Sequence, residues 1–421
     1  MNVPGRRPFE GMTREKWLNL AIASVLGFYL FYIAWEMGLR TLCGQIAVDY
    51  CAYRSAGTVA NVHGYARVYD LQLMDQAEKS ILPKTADPAR FGTVPFPYLP
   101  VFVLPFQVLC LLSPEAGYGI WSAVNIIALF FYLRFFARAL NGRPPGTRLM
   151  LMIFASLPVY LSIWGGQIDV WLAICVGEFT RALLSGKPFR AGLWLGGLLL
   201  KPQLLVLIGL LFVLQRSLRI LAGLATCSAI LVISSLTLIG PSGMVQMLRL
   251  WLIYASGHTS SWIEGMTNWR MLGFHLSAII DPWIGWGIAT AGMLATLVIA
   301  LLVWRPPFSP TRALSPIAIL GVLAATTSFA WHSHISMATI LIPPIVYLSL
   351  SNVLPQRALE YWVFLPAILF IFVVFAPEAL AEFNIWNEGG RRLIYFFIGG
   401  AEFAVNLYLF GWAVRRTRQA N

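Results

Sequence analysis

Charge is what this chain has least of. Of 421 residues only 11% are Asp, Glu, Lys or Arg, while 58% are hydrophobic, and the mean hydropathy is +0.71. A water-facing surface needs roughly 25% charged residues across a typical soluble chain. A soluble enzyme is therefore excluded, and so are disordered and collagen-like chains. Cysteine is scarce too. The five present, Cys43, Cys51, Cys110, Cys175 and Cys227, have no metal-ligand spacing and form no disulfide framework; only Cys43 and Cys51 share a segment in which one bridge is possible. No basic run interleaved with aromatics occurs, so the net charge of +12 does not point to nucleic acid. Low-complexity segments and clear internal repeats are missing as well, which disfavours an inverted-repeat transporter.

What the chain has instead is long apolar runs. A membrane span needs about 20 apolar residues. The first run is Trp17–Trp35, and it lacks the small-residue cleavage site of a signal peptide, so it reads as a retained helix. Further runs are Phe96–Pro114, Ala116–Leu133, Leu149–Ile168, Val170–Leu184, Ile220–Ile239, Ile284–Trp304, Ala313–Trp331, Ile335–Leu350, Tyr361–Pro377 and Leu393–Val414. Proline-rich Phe96–Pro114 and the following run together make one net crossing, so one of them is broken or re-entrant. Ala191–Gln215, interrupted at Lys201-Pro202, is either two short helices or one kinked helix. The expected fold is a single all-α, polytopic membrane domain over residues 1–421, with roughly 10–13 crossings.

Most of the 30 Lys and Arg fall in short loops at one side of these runs: Arg6, Arg7, Arg14 and Lys16; Arg134, Arg138, Arg143 and Arg148; Arg181, Lys187 and Arg190; Arg216, Arg219, Arg305, Arg312 and Arg357; Arg415, Arg416 and Arg418. That bias predicts a cytoplasmic side holding both termini, and a cell membrane location. All five histidines then lie outside. The long stretch Glu36–Pro95 is different. Its acids (Glu36, Asp49, Asp70, Asp75, Glu78, Asp87) balance its cations (Arg40, Arg54, Arg67, Lys79, Lys84, Arg90) one for one, unlike a polybasic lipid-binding patch. Polar segments of this length inside a compact protein are functional or disordered. Within it, Asp49–Ala60 has helical apolar spacing and is expected as an amphipathic helix on the membrane surface.

An ordered series of motifs follows. Asp49, Tyr53, Ala56, Gly64 and Tyr69-Asp70 stand in the loop. PFPYLPVFVLPF, containing Tyr98-Leu99-Pro100, leads to the next helix. Then come Gly166-Gln167 in WGGQID, AGLWLGGLLLKPQ with Lys201-Pro202, and Trp331-His332-Ser333-His334 before Leu341-Ile-Pro-Pro. Over about residues 40–350 this order resembles glycosyltransferase family 87, polytopic mannosyltransferases of the GT-C architecture. No single motif carries the likeness; their sequence does. A further histidine of the family pattern is replaced here by Ser336.

The resemblance implies an inverting transferase that takes a sugar, mannose foremost, from a polyprenyl phosphate to a lipid or glycan hydroxyl at the outer face. It places the general base at Asp49 and carries Tyr53 along as a substrate contact. The chemistry is consistent on its own terms. A polyprenyl phosphate leaves readily, so the reaction needs a base for the attacking hydroxyl and cations for the departing phosphate. No Asp-x-Asp stands in the loop, so a metal-bridged pyrophosphate donor is disfavoured, and neither metal nor other cofactor is expected.

Each candidate has a plainer alternative. Asp49 pairs with Arg54 or is solvated; Asp70, Asp75 and Asp87 are solvated or cap helices. Lys201 binds phosphate as a point charge, or snorkels to the interface. Gln167, with Asp169, bonds sugar hydroxyls, or the Gly pair beside it is a turn. Asn268 and Arg270 contact the donor and Trp269 stacks on sugar, or they are an interfacial Trp belt with a flanking Arg. One of His332 and His334 contacts sugar or phosphate, or both are interfacial hydrogen-bonders. Competing functions are transfer of another polyprenyl-linked sugar such as arabinofuranose, a transporter or flippase of lipid-linked sugar, and a non-catalytic assembly subunit. A transporter would line its path with ionisable groups, whereas only Lys201 and Glu402 look deeply placed.

Overall fold

A computed structural model describes residues 12–39, 42, 47–82, 93–256, 263–305, 315–382 and 388–419, leaving aside the side chains of 38–39, 254–256, 376–382 and 388–393. Among these residues the chain is mainly helical, with an isolated β-bridge between Met266 and His334. Helix α1 (Arg14–Leu39) forms on the first apolar run, and Leu20, Leu30, Phe31 and Trp35 stay exposed on it. That is how a helix solvated by lipid presents itself. The outer stretch holds α2 (Val48–His63) and α3 (Leu71–Ile81). Asp70 caps α3, accepting from the Gln72 and Leu73 N–H groups. Asp75 pairs with Lys79 at 2.7 Å and accepts from Thr93. Both acids serve the fold, while Asp87 lies outside the described residues.

The proline-rich run does not form a span. Residues 93–99 are irregular, Pro100–Val103 is one 3-10 turn, and α4 (Leu104–Leu109) is a single short helix. The passage is left to α5 (Pro114–Asn141), whose N-terminus is capped by Ser113. Next, α6 (Thr147–Ala155) and α7 (Leu157–Gly165) bend by 59° around Ser156, with Pro158 in the first turn of α7. The chain continues through α8 (Asp169–Leu184), α9 (Pro188–Leu195), α10 (Leu205–Leu214), α11 (Leu218–Ser256), α12 (Trp269–Ile279) and α13 (Pro282–Trp304). It ends with α14 (Ser315–Phe329), α15 (Ile342–Leu350), α16 (Gln356–Glu382) and α17 (Glu388–Gln419). Within α11 the chain kinks at Gly240, φ 66°, before Pro241. Six of these helices are long and apolar enough to cross a membrane, and α6 with α7 makes a seventh if the bent pair is one span.

The segment around Lys201 is a hairpin of two half-helices. Going up α9, Arg190 meets Glu178 near the end of α8, Gly197 meets Cys175, and Lys201 meets Asp169 at the start of α8. So α9 and the 3-10 turn Gly196–Leu200 run antiparallel to α8. Beyond Lys201, α10 turns back, and Gln215 donates to the carbonyl of Trp304 at the far end of α13. Then α11 rises again beside α9, with the backbones in contact at Gly192 and Gly223; a Cβ on either would collide with a carbonyl oxygen of the other helix. The two sequence alternatives for Ala191–Gln215 resolve as two short helices with Lys201-Pro202 at the apex.

Groups assigned by the sequence to the cytoplasmic side gather at one end of the bundle. Arg14 pairs with Glu360 at 2.9 Å, Arg148 pairs with Glu15, and Arg143 donates to the Leu350 carbonyl. Asn141 donates to Ser351 there too. Lys201 meets Gln167 and Asp169 at the start of α8, so these residues, with Asp49, lie toward the opposite end.

Candidate functional site

The site is built where broken helices end. Helix α2 is preceded by Ala47, a left-handed residue (φ 59°) whose N–H donates to the Trp164 carbonyl at 2.9 Å. This ties the first turn of α2, and Asp49 in it, to the end of α7. The expected surface helix is therefore real but is held inside the protein: Tyr50, Cys51, Ala52, Tyr53, Ser55 and Ala56 are all buried. Close packing is the cause. Gly57 lies so near the Phe106 carbonyl that a Cβ would overlap it. Cys51 stands in a disulfide, Cys110, Cys175 and Cys227 are free, and Cys43 lies outside the described residues.

The α7–α8 turn supplies the next groups. Gly166 closes α7 in the left-handed region at φ 70°, and a Cβ there would fall 2.5 Å from the Tyr50 Cβ. Glycine meets both demands. Its carbonyl accepts from the Trp121 indole at 2.8 Å, and the Gln167 N–H returns to Ser162. The turn aims Gln167 at Asp49: the amide Nε2 donates to Asp49 Oδ2. Lys201 Nζ donates to Gln167 Oε1 at 3.0 Å and to Asp169 Oδ1 at 2.7 Å. Asp49 thus bonds to Gln167, while Arg54 donates to the Leu109 carbonyl.

The other wall comes from 266–270 and 330–334. Thr267 donates its N–H to the Ser333 carbonyl at 2.8 Å beside the Met266–His334 bridge. Asn268 caps α12 through Met271 and donates to the carbonyls of Ala330 and Trp331. Its amide is occupied by the fold. Trp269 likewise turns into the bundle, donating to Thr296 and packing on Phe403. Arg270 lies over the Trp331 ring at 4.5 Å. Gln203, just past the hairpin apex, reaches the His332 carbonyl, and the His332 and His334 rings meet edge to face at 4.7 Å.

Exposure divides these groups into two layers. Asp49, Gln167, His332 and His334 keep partial access, and Trp331 is exposed, whereas Tyr53, Asp169, Lys201, Asn268 and Arg270 are buried. Tyr53 donates to the Tyr98 hydroxyl at 3.0 Å within an aromatic cluster. Arg270 is unusual: Nε and Nη1 are buried without a hydrogen-bond partner, and no ion pair to it forms among the described residues. A buried, unpaired guanidinium is costly until an anion joins it.

Electrostatics follow from burial. Desolvation pushes the Asp49 carboxyl up to about 6, opposed by the Lys201 ammonium, raised further by Asp169 and lowered by the Gln167 bond. Burial pushes the His334 imidazole down to about 4, with Lys201 adding to the fall. His332 is driven below the usual histidine range by burial, with the neighbouring His334, Lys201 and Arg270 contributing. Near neutral pH Asp49 is therefore a carboxylate and His332 and His334 are neutral imidazoles, beside the Lys201–Asp169 ion pair and the Arg270 guanidinium. Among the described residues no group of three or more His, Cys, Asp or Glu is placed to hold a metal ion.

Residues 96–328 match the model of glycosyltransferase family 87, more than half of the chain. The chain belongs to glycosyltransferase family 87. No curated protein and no solved structure matches it. The matched segment includes Gln167, Lys201, Asn268 and Arg270; Asp49 and Tyr53 precede it, and His332 and His334 follow it. Membership makes the protein a glycosyltransferase, with a sugar donor and an acceptor, working from a membrane. The residue that sequence reasoning undervalued is Asp169. Its one visible signal was an acid at the start of an otherwise apolar run.

Proposed function

We propose that this glycosyltransferase moves mannose from a polyprenyl phosphate to a hydroxyl of a lipid or glycan, with inversion, at the outer face of the cell membrane. The observation that carries the reading is a partly exposed carboxylate, Asp49, on one wall of the site and an uncompensated guanidinium, Arg270, on the other. Orientation follows from the end of the bundle that gathers Arg14, Arg143 and Arg148, taken as cytoplasmic.

In the proposed step the acceptor oxygen attacks the anomeric carbon as the carbon–oxygen bond to phosphate breaks. One displacement inverts the centre. The acceptor proton passes to Asp49, and the polyprenyl phosphate leaves with the bonding electron pair. Arg270 takes up the charge of the phosphate, its guanidinium lying over the Trp331 ring. His332 and His334, neutral, supply N–H donors to phosphate or sugar oxygens. The leaving phosphate is already a weak base, so the arrangement needs no separate acid.

The test is transfer of radiolabelled mannose from polyprenyl-phosphate-mannose to a membrane lipid extract by purified protein, wild type against Asp49→Asn. Loss of about 10²–10⁴-fold in rate is expected for removal of a general base. Equal rates would exclude Asp49 as the base. Transfer from a polyprenyl-phosphate pentose alone would replace mannose as the donor sugar.

A further inference from the structure

Lys201 is the cation that the sequence offers most readily as a phosphate ligand, yet its ammonium is committed elsewhere. The side chain is 5% exposed and its partner Asp169 is fully buried, at 2.7 Å. A second N–H bond goes to Gln167 Oε1 at 3.0 Å. Lysine has only donors to offer, so it bonds the carbonyl end of the amide and forces the NH₂ end toward Asp49. The bond from Gln167 Nε2 to Asp49 Oδ2 is the result. Gln167 and Asp49 are partly exposed, whereas Lys201 and Asp169 lie beneath them.

We propose that Lys201 is a positioning residue: through Gln167 it caps one oxygen of Asp49 and turns the other toward the acceptor, instead of holding the donor phosphate. The function of Asp49 as base rests on the reading above, but the coupling itself does not. An unlocked glutamine would be free to flip, presenting its carbonyl to the carboxylate and repelling it. The buried pair Lys201–Asp169 also sets the charge that Asp49 experiences. The ammonium favours the carboxylate form, and Asp169 opposes it. The groups that face Asp49 are Lys201 and Asp169, with the Tyr53 hydroxyl nearby and Gln167 in direct contact. Phosphate recognition is then left to Arg270, which has unpartnered donors, whereas Lys201 has few to spare.

Opposite effects from the two members of one ion pair make the test sharp. Isotope-edited infrared titration of the full-length protein, with an Asp49→Asn difference spectrum, reads the Asp49 carboxyl directly. Lys201→Met should raise its midpoint by about one unit or more, as expected when an opposite charge at this range is removed. Asp169→Asn should lower it. Gln167→Met, which keeps the buried pair and so guards against misfolding, should raise it through the lost hydrogen bond. In transfer assays Lys201→Met should move the acidic limb of the rate profile by the same amount, with little change in donor KM. An unmoved midpoint in Lys201→Met and Gln167→Met overturns the proposal. A large rise in donor KM with an unmoved limb does so too, and returns Lys201 to the phosphate. If the midpoints shift as stated while wild type transfers no sugar, the coupling stands and the proposed donor is what fails.

Discussion

Replacing Gly166 by alanine perturbs the site through backbone alone. The residue sits at φ 70°, where an L side chain costs about 1–2 kcal/mol. The new Cβ would also lie 2.5 Å from the Tyr50 Cβ, 3.2 Å from its N and 3.3 Å from its Cα. Carbon atoms prefer about 3.5–4.0 Å, so α2 must retreat by roughly 1 Å at the residue beside Asp49. Overpacking of this kind costs about 1–3 kcal/mol. The two effects together give a destabilisation of about 2–5 kcal/mol. A 1 Å misplacement of a reacting group lowers turnover by about 10²-fold. Gly142 provides the control. It has φ 72° at the end of α5, and nothing stands within 4 Å of its added Cβ. Gly142→Ala should therefore show the backbone cost alone, with transfer unchanged. The assays are thermal unfolding in detergent and initial rate of sugar transfer for the two variants. If Gly166→Ala matches Gly142→Ala in both, the close approach of the α7–α8 turn to α2 does not position Asp49.

Other outcomes follow from the same geometry. Transfer should fall about tenfold per pH unit below pH 6, because Asp49, raised to about 6, must be ionised to accept a proton; a limb that survives in Asp49→Asn would assign it to another group. His334, pushed down to about 4, should add no limb between pH 5 and 8, which histidine-directed NMR would verify. Arg270→Gln should raise donor KM by about 10–100-fold, the usual worth of a hydrogen bond to a charged group, and Arg270→Lys should not restore it, since lysine lacks the planar fork and stacks poorly on Trp331. Gly223→Val should abolish folded yield by parting α11 from α9, as judged by monodisperse recovery in detergent.

How much of this was legible beforehand differs residue by residue. The membrane class and helical architecture followed from apolar runs, because lipid demands that every backbone group be satisfied within the segment. Grouping Asp49, Gln167, Lys201 and the histidines rested on ordered motifs, and the described residues do lie together. Their partnerships were not legible. Nothing in the local sequence says that Lys201 meets Asp169, since that contact depends on a hairpin that the apolar pattern does not distinguish from a single kinked helix. Asn268 and Arg270 are two residues apart yet differ in kind: one amide holds the chain together while the guanidinium is left unpartnered. The helix starting at Val48 was visible in its periodicity, but its burial was not, because a moderately apolar face fits a membrane surface and a protein interior equally well.

The half-helix hairpin constrains how this protein is made. Helix α9 has 8 residues and α10 has 10, lengths of about 12 and 15 Å, against a hydrocarbon layer of about 30 Å. Neither arm can hold a place in the bilayer unaided, and the apex carries an ammonium ion. The acid that neutralises it, Asp169, emerges from the ribosome earlier, on α8; the glycine-lined brace, α11, emerges later. Insertion of this stretch is therefore a delayed event, completed only when the chain on both sides of it has been synthesised.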